Sequence, residues 1–354
     1  MAITQYYVDP SINANSGTGT IGDPYGDLQY ALNTVTRDST NGDQFNIKSG
    51  TAEVLTGSLD FTTYGTPSNV APLSFAGYTS SLNDGGVGVI DGDGSYKIMT
   101  MPNYCYARDL EIRNSGANQL VSGSAVYTAL IRCTLHGVTG GTYGIYGGRL
   151  IGCHIYDIGT NYGIGAVNLF GCGIFQGPTN TGSMLAYLFD GYKFVNNLFV
   201  NTVDFAQAIG GHNQIRFNCI GNSILVNGGN GINMTGSTQG GTVINNLVEG
   251  AGTGIATAGD SVVAGNAVYN STIADYDQNG QDVLFADNES LSASPFEKTG
   301  TATWANAKAY FAPADVGNVR TGSYSNIGGF KGAIQPPDPT RNYTGLRTSF
   351  HPLV

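Results

Sequence analysis

Charge is what this sequence has least of. Asp, Glu, Lys and Arg make up 11% of its 354 residues, with 25 acidic side chains against 15 basic ones and a net charge of −10. An average soluble domain carries roughly 25% charged residues. The basic residues are scattered, so the sequence offers no clustered face to neutralise phosphates and argues against a nucleic-acid partner. Long apolar runs are missing as well. Nothing approaches the about 18 residues of a membrane-spanning helix, so no membrane insertion is expected. The opening stretch, Met1 to Pro10, has neither a basic start nor an apolar core and does not read as a secretory leader. Cysteine is sparse: Cys105, Cys133, Cys153, Cys172 and Cys219 are odd in number and lack paired CxxC spacing. Free thiols are expected in a chain made in the cytosol.

Glycine, by contrast, is abundant, with 53 residues, and 41% of the chain is hydrophobic, including 21 Tyr and 15 Phe. That composition excludes a helical bundle, which would be rich in Ala, Glu, Lys and Leu. It also excludes disorder, because a real core can be buried. The glycines follow no third-residue period, so collagen fails too. A β-rich chain with many tight turns remains.

A short phrase recurs through the middle of the chain: an apolar residue, a gap, then Cys, Asn or Leu, a gap, and usually an apolar residue. The copies centre on Leu110, Cys133, Cys153, Cys172, Asn197, Cys219, Asn246 and Asn266, spaced 19 to 27 residues apart. Each alternates with period two, as strands do. One strand signature per period of about twenty residues predicts a solenoid in which stacked coils share one core. The low charge then has a cause, since an inward charge would be buried without a partner. The central column should point inward at a spacing of about 4.8 Å, with Asn side chains hydrogen-bonding up the stack and Cys filling the same volume. A straight thiol column does not give the tetrahedral convergence zinc needs, so no metal and no cofactor is expected.

The ends differ from the middle. Leu28, Ala31, Leu32 and Val35 fall on one helical face behind Asp27 in the N-cap position, predicting a short helix over about Asp27–Asp38 that plugs the open end. The expected organisation is 1–40 for the first strand and capping helix, 41–290 for the solenoid, 291–335 for a closing segment, and 336–354 for an extended, proline-led tail. The segments "YYVDPS", "GDQFNIKSGT", "PLSFAGY" and "GVIDGDGS" resemble the first coils of right-handed parallel β-helix proteins of the pectate-lyase-like superfamily. "SPFEK", "ADVGNV" and "GGFKGAIQ" are similar to the closing segments of such chains, notably those of bacteriophages. The expected fold is therefore all-β, a right-handed, single-stranded parallel β-helix with an N-terminal capping α-helix and an extended C-terminal tail. The superfamily holds lyases, hydrolases, epimerases, tailspikes and non-catalytic virion proteins, so fold alone does not give function.

If the column faces inward, its neighbours face out. One outward stripe is expected to run Glu111, Thr134, His154, Gly173, Leu198, Ile220, Leu247, Ala267. A second runs Arg113, His136, Tyr156, Phe175, Val200, Asn222, Glu249, Tyr269. Both turn apolar from about Gly173, and a patch including Leu198, Ile220 and Leu247 should be covered by a loop, another copy or a different protein. Tyr156 and Phe175 offer adjacent rings for a sugar or a partner. Candidate catalytic residues are sparse. Asp190 and Asp204 are the expected carboxylate pair, if loops bring them within the about 5 to 10 Å a glycosidase needs. His154, with His136 beside it and Asp157 near, could serve as a base or metal site, against the blander reading of solvated histidines. The resemblance implies an Asp cluster holding calcium in lyases. Asp91 and Asp93 are the nearest such residues, but no Lys or Arg column is expected beside them and a β-turn accounts for them. Gly17 to Gly22 matches GxGxxG without leading into a helix, so no dinucleotide site follows.

Two functions of different class follow. The resemblance implies a bacteriophage virion component, a β-helical spike, fibre or capsid-decorating protein. It would be a homo-oligomer (trimer), packed against other virion proteins and touching host surface polysaccharide. The alternative is a polysaccharide lyase or glycoside hydrolase. A bacterial glycan-binding module is a third reading, and would need an exposed aromatic row.

Overall fold

In the computed structural model, residues 3–298 are described apart from short loop stretches, together with Phe311 and Ala314. Three all-parallel sheets of 12, 11 and 9 strands wind in sequence order, each coil from Leu73 to Gln278 giving one strand to each sheet. One coil shows the pattern. Arg149–Ile151 lies in the first sheet, His154–Ile158 in the second and Tyr162–Gly165 in the third, before Asn168–Phe170 begins the next coil. The architecture is a parallel β-helix, as the repeat predicts.

From Arg132 onward the corner between the first and second sheets is two residues long and opens with a residue of positive φ. These are Gly152, Gly171, Asn196, Gly221, Asn245, Gly265 and Asp287, at φ between 53° and 64°. Gly, Asn and Asp tolerate that left-handed conformation best. Arg132 occupies the same position at φ 53°. Its guanidinium is held by Asp109, the left-handed residue of the preceding corner, through bonds of 2.7 and 2.6 Å.

The second residue of each of these corners points inward and forms a ladder: Cys133, Cys153, Cys172, Asn197, Asn222, Asn246, Asn266, Asn288. The Asn222 Oδ1 accepts from the backbone N–H and the side-chain amide of Asn197, both at 3.0 Å. Asn246 does the same for Asn222, at 2.9 Å in each case. Cys153 and Cys172 donate to the carbonyls of Leu130 and Leu150. Among the described residues all five cysteines are free and buried.

The sequence pattern misplaces one coil. Cys219 is buried, but it lies in the first-sheet strand Phe217–Ile220, in register with Phe194 and Val243. Asn222 takes the ladder position instead. The phrase Phe217–Cys219–Gly221 alternates correctly, yet the left-handed Gly221 sets the corner, three residues later than alternation alone suggests. Ile220 is therefore on the first sheet, and the outward residues of this coil are Ser223 and Leu225.

Apolar side chains fill the interior, with Phe45 stacked on Phe75 at 5.9 Å and on Tyr6 at 5.4 Å. At the N-terminal end the helix runs Leu28–Thr34, capped by Asp27, and buries Leu28, Ala31 and Leu32, with Val35 buried just beyond. It stops short of Asp38 because Val35 is already extended. No described helix is long and apolar enough to cross a membrane. The strand Thr4–Val8 pairs with Asp43–Lys48, so the N-terminal segment shares the first sheet. Residues 336–354 lie outside the described part.

Candidate functional site

The outer face of the second sheet gathers the polar and aromatic groups. Strand alternation puts every second residue outward, and in-register pairing lines up Asp91, Arg113, His136, Tyr156, Phe175 and Val200 in one column. The neighbouring column is Glu111, Thr134, His154, Gly173, Leu198. Arg113 donates from Nε to Asp91 at 2.7 Å and from Nη1 to Glu111 at 2.7 Å. Glu111 is also 3.1 Å from His136 Nε2. The His136 ring lies flat on Tyr156, with centroids 4.4 Å apart and planes 9° apart. His154 packs on Tyr156 at 4.8 Å and meets Phe175 edge-on at 5.6 Å. An ionic cluster thus runs directly into an aromatic shelf.

A bulge shapes the polar end. Arg113 pairs with His136 and Gly116 with Val138, so one strand carries an extra residue. Bulges re-aim side chains, and here Asn114, at φ 58°, turns its amide onto the Asp91 carboxylate at 3.0 and 3.2 Å. Asp91 also accepts from the Asp93 N–H at 2.9 Å, and the Ser95 N–H donates to the Gly92 carbonyl at 3.0 Å, closing the expected turn.

Electrostatics separates the roles. For Glu111, burial opposes ionisation, but the hydrogen bonds from His136 and Arg113 outweigh it and hold the carboxyl below its ordinary range. Asp91 is lowered in the same way, burial being outweighed by Arg113, the Asp93 N–H and Asn114. The two carboxylates hold the Arg113 guanidinium charged. Burial, with His136 nearby, pushes His154 down to about 4, so its imidazole is neutral near pH 7.

The expected residues meet different fates. Tyr156, Phe175 and His154 come together in the shelf. Asp157 is exposed at φ 49° and is not the partner of His136; Glu111 is. Asp190 lies outside the described residues, and of Asp204 only the backbone is described, in register with Asn227. Asp91 was expected to lack a basic column, yet Arg113 sits beside it in register. The groups that sequence reasoning passed over as candidates are Glu111 and Arg113. Both stand in the predicted outward stripes, and reading across the stripes at Arg113 and His136 would have found them.

The apolar half of the face is not an open patch. Leu198, Val200, Leu247 and Ala267 are buried beneath Phe296 and Phe311 of the same chain, with Phe175, Leu225 and Leu291 packed alongside. Glu249, 4% exposed, accepts from Ser294 at 2.6 Å and pairs with Lys298. Of the covers expected for that stripe, a segment of the chain itself is the one seen here.

Among the described residues no three metal-capable side chains converge. No family model matches the chain. No curated protein matches it either. Its parallel β-helix fold has a solved counterpart. It is similar to the solved pectate lyase Pel9A, with a TM-score of 0.61 and 16% identity over 93% of this chain and 97% of that one. A rhamnogalacturonan lyase matches with a TM-score of 0.44 and 14% identity, covering 76% of this chain and 74% of that one.

Proposed function

We propose that the protein is a carbohydrate-active β-helix that takes a polysaccharide across the outer face of its second sheet, and that its chemistry is β-elimination at an acidic sugar. The observation that carries this reading is the in-register run Arg113, His136, Tyr156, Phe175, flanked by Glu111 and His154. The rings supply a stacking surface for sugar faces. Glu111 fixes the imidazole of His136, a group suited to removing a proton.

Hydrolysis fits less well. It needs a carboxylic acid kept protonated to donate to the leaving oxygen. Asp91 is held ionised chiefly by Arg113, and Glu111 by His136 and Arg113, so neither can donate. Elimination uses what is there. His136 takes the proton α to the sugar carboxylate, and Arg113, about one-third exposed, faces the charge that develops on that carboxylate. The C–O bond to the leaving sugar breaks as the double bond forms, and the leaving oxygen takes a proton from solvent. No observation favours a virion role over this one.

The test is a panel of polyuronates and neutral polysaccharides, assayed for unsaturated products absorbing in the ultraviolet and for reducing ends. Unsaturated product is expected, with loss of about a hundredfold or more in His136→Ala. Reducing ends without ultraviolet absorbance would overturn the elimination chemistry. Neither product and no binding would overturn the carbohydrate reading.

A further inference from the structure

The closing segment does more than hide an apolar surface. Residues 291–298, with Phe311 and Ala314, are tied at both ends. The Ala314 N–H donates to the Pro295 carbonyl at 2.8 Å, and Phe296 meets Phe311 edge-on at 5.3 Å. Glu249, two coils along the column from Val200, anchors the segment through Ser294 and Lys298. Phe175 stands on the boundary: it packs against this buried cluster and touches the His154 ring in the shelf.

We propose that this segment is a positioning strap for the shelf, holding Phe175 in place and, through it, the His154 imidazole and the stacking surface for a sugar. With the strap loosened, Leu198 and Val200 would be uncovered, and the Phe175 ring would collapse onto them and away from His154, since apolar surfaces leave water together. Phe175 joins the two, packed on the strap's buried cluster on one side and against the His154 ring on the other. The inference about sugar rests on the proposed carbohydrate function; the inference about ring placement does not.

Both are tested on the full chain with Phe311→Ala, Phe311→Leu and Lys298→Met. The last loosens the anchor without opening a large cavity, and serves if Phe311→Ala fails to fold. Nuclear magnetic resonance of the His154 imidazole protons reads the ring currents of Phe175 and Tyr156. These shifts should change in Phe311→Ala and Lys298→Met and return in Phe311→Leu. Affinity for a polysaccharide that the wild type binds should fall by about tenfold in the same two variants and recover with Leu. Faster proteolysis between 291 and 314 with unchanged His154 shifts would overturn the proposal. Changed shifts in a protein that binds no polysaccharide would sink the carbohydrate reading and leave the strap's positioning role standing.

Discussion

Glu53 makes the N-terminal end of the solenoid sensitive to pH in an unusual direction. It lies on the strand Ala52–Val54, 4% exposed, and its carboxyl accepts the Leu28 N–H at 2.9 Å, at the first residue of the capping helix. Burial raises it from 4.5 to about 7, the Leu28 N–H opposes this, and the nearby Asp27 adds to the rise. The folded protein thus keeps a proton that the unfolded chain has released. The stability this contributes is complete below pH 4.5 and is lost as pH rises through about 7. At about 1.4 kcal/mol per unit, a rise of about 2.5 units costs about 3 kcal/mol at alkaline pH. Glu53→Gln keeps an acceptor for Leu28 and cannot ionise. The variant and the wild type should be equally stable at acid pH, with the variant ahead by about 3 kcal/mol at alkaline pH. Because a solenoid can unfold piecewise, the measurement is native-state hydrogen exchange at the Leu28 and Ala31 amides across that range. A difference between the two proteins that stays constant with pH would refute the reasoning.

Two further outcomes follow from groups held in place by burial. Asn246→Leu leaves the N–H and amide of Asn222 and the Cys219 carbonyl without their partner, and at about 1 to 3 kcal/mol per group the loss should be about 3 kcal/mol or more in chemical denaturation. His154, lowered from 6.5 to about 4, should titrate near 4 by nuclear magnetic resonance and stay neutral above it. A depressed histidine contributes stability above its unfolded value, so that contribution should fade as pH drops from 6.5 towards 4.

The fold was legible because its determinants are local and repeated. A left-handed corner residue followed by an inward Cys or Asn recurs often enough to be seen without a partner strand in view. Where the pattern misled, at Cys219, two overlapping alternations were both plausible, and only the left-handed Gly221 decides between them. The site was less legible for a different reason. Its members, Asp91, Glu111, Arg113, His136, Tyr156 and Phe175, come from five consecutive coils and meet only because the coils are in register. Within its own coil Arg113 has only Glu111 beside it, and its meaning appears when Asp91 lies one coil before it and His136 one coil after. The same logic explains the strap. Leu198 and Leu247 read correctly as outward and apolar, yet what covers them comes from Phe296 and Phe311, beyond the repeat, where no periodicity points back. A chain this poor in charge has placed two acids, an arginine and two histidines on one patch of one sheet. Ionisable groups are costly to bury, and a scaffold needs none of them gathered there, so this concentration is the strongest physical reason to look for chemistry at that face.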